Sequence, residues 1–233
     1  MVTFSCALIP ARLERRYKRF FADVTLHEGT TMTVHCPNTG SMRGLCEVGQ
    51  TVLLEPAKPG ARLAYGWRLV ETASGLVGID PGVANKAAGE ALAAGVVGEL
   101  AGYDGIRPEQ AYGAASRIDF LLQAAQRPPA YVEVKNVHFS RDAGVAEFPD
   151  SATARGLKHL GELTAMAAAG ARAVMLYVVQ RMDCERLRFA ADIDPAYATA
   201  AGAAASRGVE FLCYGCDVTI QGVKLLRPLR VDL

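Results

Sequence analysis

The sequence predicts an α/β protein, α+β overall, in two parts: a small β-barrel over residues 1–82 and an α/β domain over 83–233. Three observations predict it. Up to about residue 80, short β-like stretches alternate with Gly and Pro turns. After "DPGVAN" the texture becomes alanine-rich and helical. From there helical and strand-like stretches interleave, the pattern of a sheet covered on both faces. A chain of 233 residues, 51% hydrophobic and 21% charged, is long enough to bury two such cores.

In order, the first part reads as "RRYKRFFADVTL", "TTMTVHCP", "QTVLLEP", "RLAYGWRLVET" and "GLVGID", five strands that suit an OB-type barrel. The second part opens with a helix over about 85–101, for which Asn85 is a candidate N-cap. Strands over 117–123 ("RIDFLLQ") and 130–137 ("AYVEVKNV") follow, then a helix over 151–169. That helix can be capped by Asp150 or Ser151 and carries Leu157, Leu160, Leu163 and Met166 on one stripe. A strand over 172–180, a helix that Pro195 opens after Asp194, a strand over 208–219 and an extended tail complete the order.

With 25 Lys+Arg against 24 Asp+Glu, no whole-chain field draws polyanions, so any basic patch is local. Six scattered cysteines in a chain of this size read as reduced thiols. The amino terminus lacks the basic-then-apolar order of a signal peptide. The longest apolar run, "AVMLYVV", is far shorter than the ~20 residues of a membrane span. These features read as a soluble, cytoplasmic protein; they leave open whether it is a homodimer.

The chemistry concentrates in "YVEVKN". Side chains at i and i+2 of a strand share a face, so Glu133 and Lys135 stand together while Val132 and Val134 pack opposite. Asp119 lies one strand earlier among Ile118, Phe120, Leu121 and Leu122, where an unpaired carboxylate is costly. Two carboxylates on adjacent strands form the hard oxygen site that Mg²⁺ or Mn²⁺ favours, and Lys135 beside them can stabilise charge on a phosphate. Glu90, on the preceding helix, is a candidate further ligand. Alone, "EVK" is also what the solvent face of any half-buried strand looks like. The order helix, acidic strand, E-x-K strand, helix is that of the PD-(D/E)xK nuclease fold, a restriction-endonuclease-like arrangement. Arg155 and His159, four apart on the next helix, can meet a phosphate, and His159 can serve as a general acid/base. The plainer alternative is a solvated helix face with Glu162 as a local partner.

In "RLERRYKRFF", Arg12, Arg15, Arg16, Lys18 and Arg19 interleave with Tyr17, Phe20 and Phe21, which suits backbone neutralisation with base stacking, or equally a strand with solvated charges. Residues 1–80 hold nine Lys+Arg and seven Asp+Glu, a net of only +2, so a focused stripe is the most they can form. "CPNTGSM" is a turn-rich loop whose amides can bind an anion, although turn chemistry alone accounts for it. "CYGC" has zinc-like spacing with no second pair to answer it.

Taken together, "RRYKRFFADV", "CPNTGSM", "GVANKAAGEAL", "SRIDFLL", "YVEVKNV", "FPDSATARGLKHLGEL" and "VTIQGVKLLRPL" resemble the sugar fermentation stimulation protein A family over nearly the full length. The resemblance implies an amino-terminal OB-like domain joined to a PD-(D/E)xK nuclease-like domain, DNA binding, and regulation of sugar (maltose) metabolism. By position it implies Asp119, Glu133, Lys135 and Glu90 as the nuclease-like site, with Mg or Mn, and Arg155 and His159 as residues of the helix that follows it. "GVANKAAGEAL" departs most, being less polar and less bulky than the family pattern, which weakens the carry-over of Glu90. Two readings follow: a DNA-binding regulator, on single- or double-stranded DNA, or an active Mg/Mn-dependent nuclease.

Overall fold

A computed structural model of the protein describes residues 1–113 and 116–233. The chain begins with β1 (Val2–Thr3), which pairs with the last strand rather than with the barrel. β2 (Ile9–Tyr17) and β3 (Phe21–Leu26) then form a hairpin. The segment 15–26, expected as one strand, doubles back because Lys18 and Arg19 take the left-handed backbone region, with φ of 49° and 63°. β4 (Thr31–His35), β5 (Thr51–Pro56), β6 (Tyr65–Thr72) and β7 (Gly75–Gly78) complete the order β4-β3-β2-β5-β6-β7. One pair, His35 with Gly66, joins β4 to β6 and closes the barrel. Alternate residues of β3 (Ala22, Val24, Leu26) point inward with Leu13, Leu54 and Trp67, the period of two that a half-buried strand imposes.

The second part is a mixed sheet with helices on both faces. α1 (Pro81–Ala93) starts four residues earlier than predicted, because Asp80 rather than Asn85 accepts the hydrogen bond from the Gly82 amide and Pro81 occupies the first turn. It also stops short of residue 101, at Gly95 in a left-handed conformation. There follow β8 (Gly105–Tyr112), β9 (Ser116–Ala124), β10 (Arg127–Val137), β11 (Gly144–Phe148), α2 (Ala154–Ala168), β12 (Arg172–Val179), β13 (Cys184–Phe189), α3 (Pro195–Ala205), β14 (Val209–Thr219) and β15 (Gly222–Asp232). The order across the sheet is β11-β13-β15-β14-β12-β10-β9-β8, with β1 beside β15. β10, β12 and β14 are parallel neighbours linked through α2 and α3, the crossover that parallel strands require. β8, β11 and β13 escape the sequence reading because two of them are edge strands and all three carry polar or proline residues instead of an apolar alternation.

On one face α1, Phe4 and the barrel's Leu53 and Leu69 cover Val132, Val134, Val174 and Leu176. On the other face Leu160 and Leu163 of α2 and Tyr197 and Ala201 of α3 cover Val137, Met175 and Tyr177. Thr153 caps α2, and Asp194 caps α3 as the sequence predicts. Cys213 and Cys216 fall into opposite cores, and all six thiols are free, so "CYGC" does not form a chelate.

"CPNTGSM" turns inward. Asp150 accepts hydrogen bonds from the Met42 amide (2.9 Å) and from Ser41 Oγ through its carbonyl (2.6 Å), while Asn38 donates to the Ile79 carbonyl (2.8 Å). A Cβ on Gly40 would lie 2.7 Å from the Asp150 carboxylate, so this close approach requires glycine. Burial opposes ionisation of Asp150, but His138 and the Met42 amide hold its carboxyl well below the usual carboxylate range. Among the described residues no helix is long and apolar enough to cross a membrane.

Candidate active site

The β9–β10 ladder stops at the pair Phe120–Val132, one residue short of Asp119 and Glu133. Beyond that point the strands part, and the Asp119 carboxylate takes up the amide the ladder leaves free: Val134 N donates to Asp119 Oδ2 at 2.7 Å. Asn85, within α1, donates to the other oxygen at 2.6 Å. On β10 the strand period turns Val132 and Val134 toward α1, and Glu133 and Lys135 toward α2.

Glu133 is 3% exposed. Its Oε1 accepts from Lys135 Nζ (2.8 Å) and contacts His159 Nδ1, while its Oε2 is buried with no hydrogen-bond partner. His159, also buried, accepts from Arg155 Nε (3.3 Å) through Nε2. Because a guanidinium only donates, this places the ring hydrogen on Nδ1, facing Glu133. His159 thus holds one glutamate oxygen through Nδ1 and meets Arg155 through Nε2.

Burial, and then the charge of Glu133, push the Asp119 carboxyl up to about 6. For Glu133 burial acts in the same sense, but the His159 hydrogen bond and the Lys135 charge outweigh it and hold the carboxyl below the usual range. A cleft of about 630 Å³ opens over Asp119 and His159, walled by Arg117, Arg155 and Lys158. Arg155 and Lys158 are exposed there, and Lys158 lies 3.7 Å from Glu162.

This donor set fits a hard divalent cation. Asp119 lies near enough to Glu133 for the glutamate's charge to help raise it, and Glu133 keeps one buried oxygen without a partner among the described residues. Among the described residues no cluster of three or more His, Cys, Asp or Glu side chains could hold a metal, so Asp119 and Glu133 would be the carboxylates available to an ion here.

The structure brings together Asp119, Glu133, Lys135, His159 and Arg155, and leaves Glu90 out. Glu90 lies on the surface of α1, where it pairs with the amino-terminal ammonium at 2.6 Å; Asn85, one turn earlier, faces Asp119 instead. Asn85 could have been found from "SRIDFLL" and "GVANK" only by knowing that α1 packs on β10 with Asn85 reaching Asp119 of the neighbouring β9. The amino-terminal basic residues also divide. Arg16 is spent on the carbonyls of Arg19, Asn38, Gly40 and Ser41. Arg15 pairs with Asp23 (2.7 Å) and lies over the ring of Tyr17, which donates to Asp23 (3.2 Å). Arg12, Lys18 and Arg19 are exposed on the barrel.

Residues 15–79 match the model of the SfsA N-terminal OB domain, and residues 82–222 that of the sugar fermentation stimulation protein RE domain. The sugar fermentation stimulation protein homolog of Jannaschia sp. strain CCS1 is 56% identical over 98% of this chain and 96% of its own. That of Agrobacterium fabrum is 51% identical over 98% of this chain and 96% of its own. Among solved structures, Pyrococcus furiosus SfsA in complex with Ca²⁺ superimposes with a TM-score of 0.90 at 25% identity, covering the whole of both chains.

Proposed function

This chain belongs to the sugar fermentation stimulation protein family, and from that premise we propose that it binds DNA and cleaves phosphodiester bonds with a divalent cation, Mg²⁺ or Mn²⁺, held by Asp119 and Glu133. The observation that carries this reading is the buried Glu133 Oε2, without a partner among the described residues, near a raised Asp119. The Pyrococcus furiosus relative was determined with Ca²⁺, a hard cation of the class such a pair holds. When bound, the ion supplies charge stabilisation and a water acidic enough to attack phosphorus near neutral pH. The chain's own residues do the rest. Asn85 and the Val134 amide orient Asp119, and His159 and Lys135 fix one oxygen of Glu133 so that the other points free. Lys135 is also placed to meet charge developing on the phosphate, and Arg155, Lys158 and Arg117 hold flanking phosphates of the strand. His159 is a positioning residue here, not the general acid/base. Regulation of sugar metabolism is then a consequence of acting on DNA.

The test is incubation of the pure protein with labelled single- and double-stranded DNA and RNA in Mg²⁺, Mn²⁺ or chelator, beside Glu133→Ala and Lys135→Ala. Metal-dependent cleavage that falls by about a hundredfold or more in both variants is the expected result. Binding without cleavage in every metal would leave a DNA-binding regulator on a nuclease-like scaffold.

A further inference from the structure

A second cavity, of about 710 Å³, lies at the joint between the barrel and α1, where β4 meets β6 through His35 and Gly66. Its size is that of a small-molecule site. Phe21 and Tyr65, both half-buried, give it aromatic walls, and Val83 and Phe4 add apolar surface. At its base Arg68 consumes both of its acids: Nε donates to Glu55 (2.7 Å) and Nη1 to Asp80. The other oxygen of Glu55 accepts from the amide (2.6 Å) and hydroxyl (2.8 Å) of Ser5, and that of Asp80 from the Gly82 amide (2.8 Å). No carboxylate oxygen of the cavity is left without a donor. On the rim Lys58, Arg62 and Lys86 are exposed and enter none of the ion pairs among the described residues. Four lining Lys/Arg (58, 62, 68, 86) against two acids (55, 80) leave a net of +2.

Two aromatic side chains beside cations that enter no ion pair among the described residues are a specific combination. A simple anion would make no use of Phe21 and Tyr65, and a neutral sugar would make none of the three rim cations. A nucleotide uses both, because its base stacks and its phosphate pairs with Lys and Arg. We infer that this cleft binds a nucleotide, with the base against Phe21 and Tyr65 and the phosphate at Lys58, Arg62 and Lys86, either free or as one unit of a single strand. As a strand site it rests on the nucleic-acid reading above; as a free-nucleotide site it stands apart from it. The cleft and the carboxylate pair share one element, since Lys86 lines the cavity and its neighbour Asn85 holds Asp119.

The experiment measures fluorescence changes of etheno-AMP and of a fluorescein-labelled oligothymidylate on titration with the full chain in chelator. It compares wild type, Tyr65→Ala, the double substitution Arg62→Glu/Lys86→Glu, and Glu133→Ala, each checked for folding by circular dichroism. Arg62 and Lys86 are exposed, so the double variant keeps its core. At least one probe binds the wild type, and that binding weakens about tenfold or more in Tyr65→Ala and in the double variant but not in Glu133→Ala. Response of etheno-AMP assigns a free nucleotide; response of the oligothymidylate alone assigns a strand. Failure of both probes to bind, or wild-type binding by both cleft variants, overturns the inference. Cleavage with a silent cleft defeats only this inference, and a responsive cleft with no cleavage in any metal defeats only the nuclease reading.

Discussion

Glu147, on β11, is 1% exposed, and each of its oxygens is met: Oε1 accepts from Arg141 and Arg188, both at 2.8 Å, and Oε2 from the Nε (2.8 Å) and amide (3.2 Å) of Arg141. Against the pull of burial, the two arginines hold its carboxyl below the usual range. Glu133, 3% exposed on β10, has Lys135 and His159 at one oxygen and nothing at the other. The same chain therefore neutralises one buried glutamate with its own cations and leaves its counterpart one partner short. A carboxylate of the first kind holds structure together; one of the second kind keeps an acceptor free near Asp119, which is what the proposed metal reading needs.

The largest stability effect expected from this contrast belongs to Glu147. Glu147→Ala should cost about 3 kcal/mol in urea unfolding, the low end for a broken buried pair because both arginines still reach water. A loss below about 1 kcal/mol would erase the distinction between the two glutamates. Next comes the response to metal. Mn²⁺ at a hundredfold its Kd should raise wild-type stability by about 2.7 kcal/mol, and Glu133→Gln should abolish that gain. A gain that survives in Glu133→Gln would place the ion elsewhere.

The smallest effect concerns pH. Asp119 in the folded, metal-free chain titrates near 6, above its ordinary value of 3.8. The native state therefore holds this proton more tightly, and the stability that Asp119 contributes is full below about pH 4, falls as pH rises toward about 6 and is lost above. Asp119→Asn should remove that slope and leave the metal-free protein more stable at pH 7 by about 2 kcal/mol, with the Asn85 amide free to turn and match the new side chain. A difference in unfolding free energy between wild type and Asp119→Asn, taken in chelator, that stays constant across this range would contradict a carboxylate so raised by its neighbours.

Much of the site was legible because strand periodicity is a local property. "VEVK" places Glu133 and Lys135 on one face without any knowledge of the sheet, and Asp119 stands out by its apolar neighbours. Helical phase was less forgiving. Glu90 and Asn85 are five residues apart on α1, and an error in where the helix begins and which way it faces decides which of them meets Asp119. The same holds for Asp150, read as a candidate helix cap: its partners Met42 and Ser41 lie more than a hundred residues away, beyond the reach of any local pattern.

The change from barrel to α/β sheet and the starts of the last two helices to within a few residues were readable from residue order, because they follow from spacing and propensity; Asp119, Glu133 and Lys135 stood out as candidates, and the family came from resemblance over nearly the whole chain. Only the fold shows that the ladder ends at Phe120–Val132, where the freed Val134 amide goes to the Asp119 carboxylate. The fold also sets His159 against Glu133, spends Arg16 on bracing a loop, leaves Lys58, Arg62 and Lys86 out of the ion pairs among the described residues, and encloses a cleft between the barrel and α1. The physical reason is that a hydrogen bond or a desolvated charge depends on what lies within a few ångströms in space, which residue order constrains only through the whole fold.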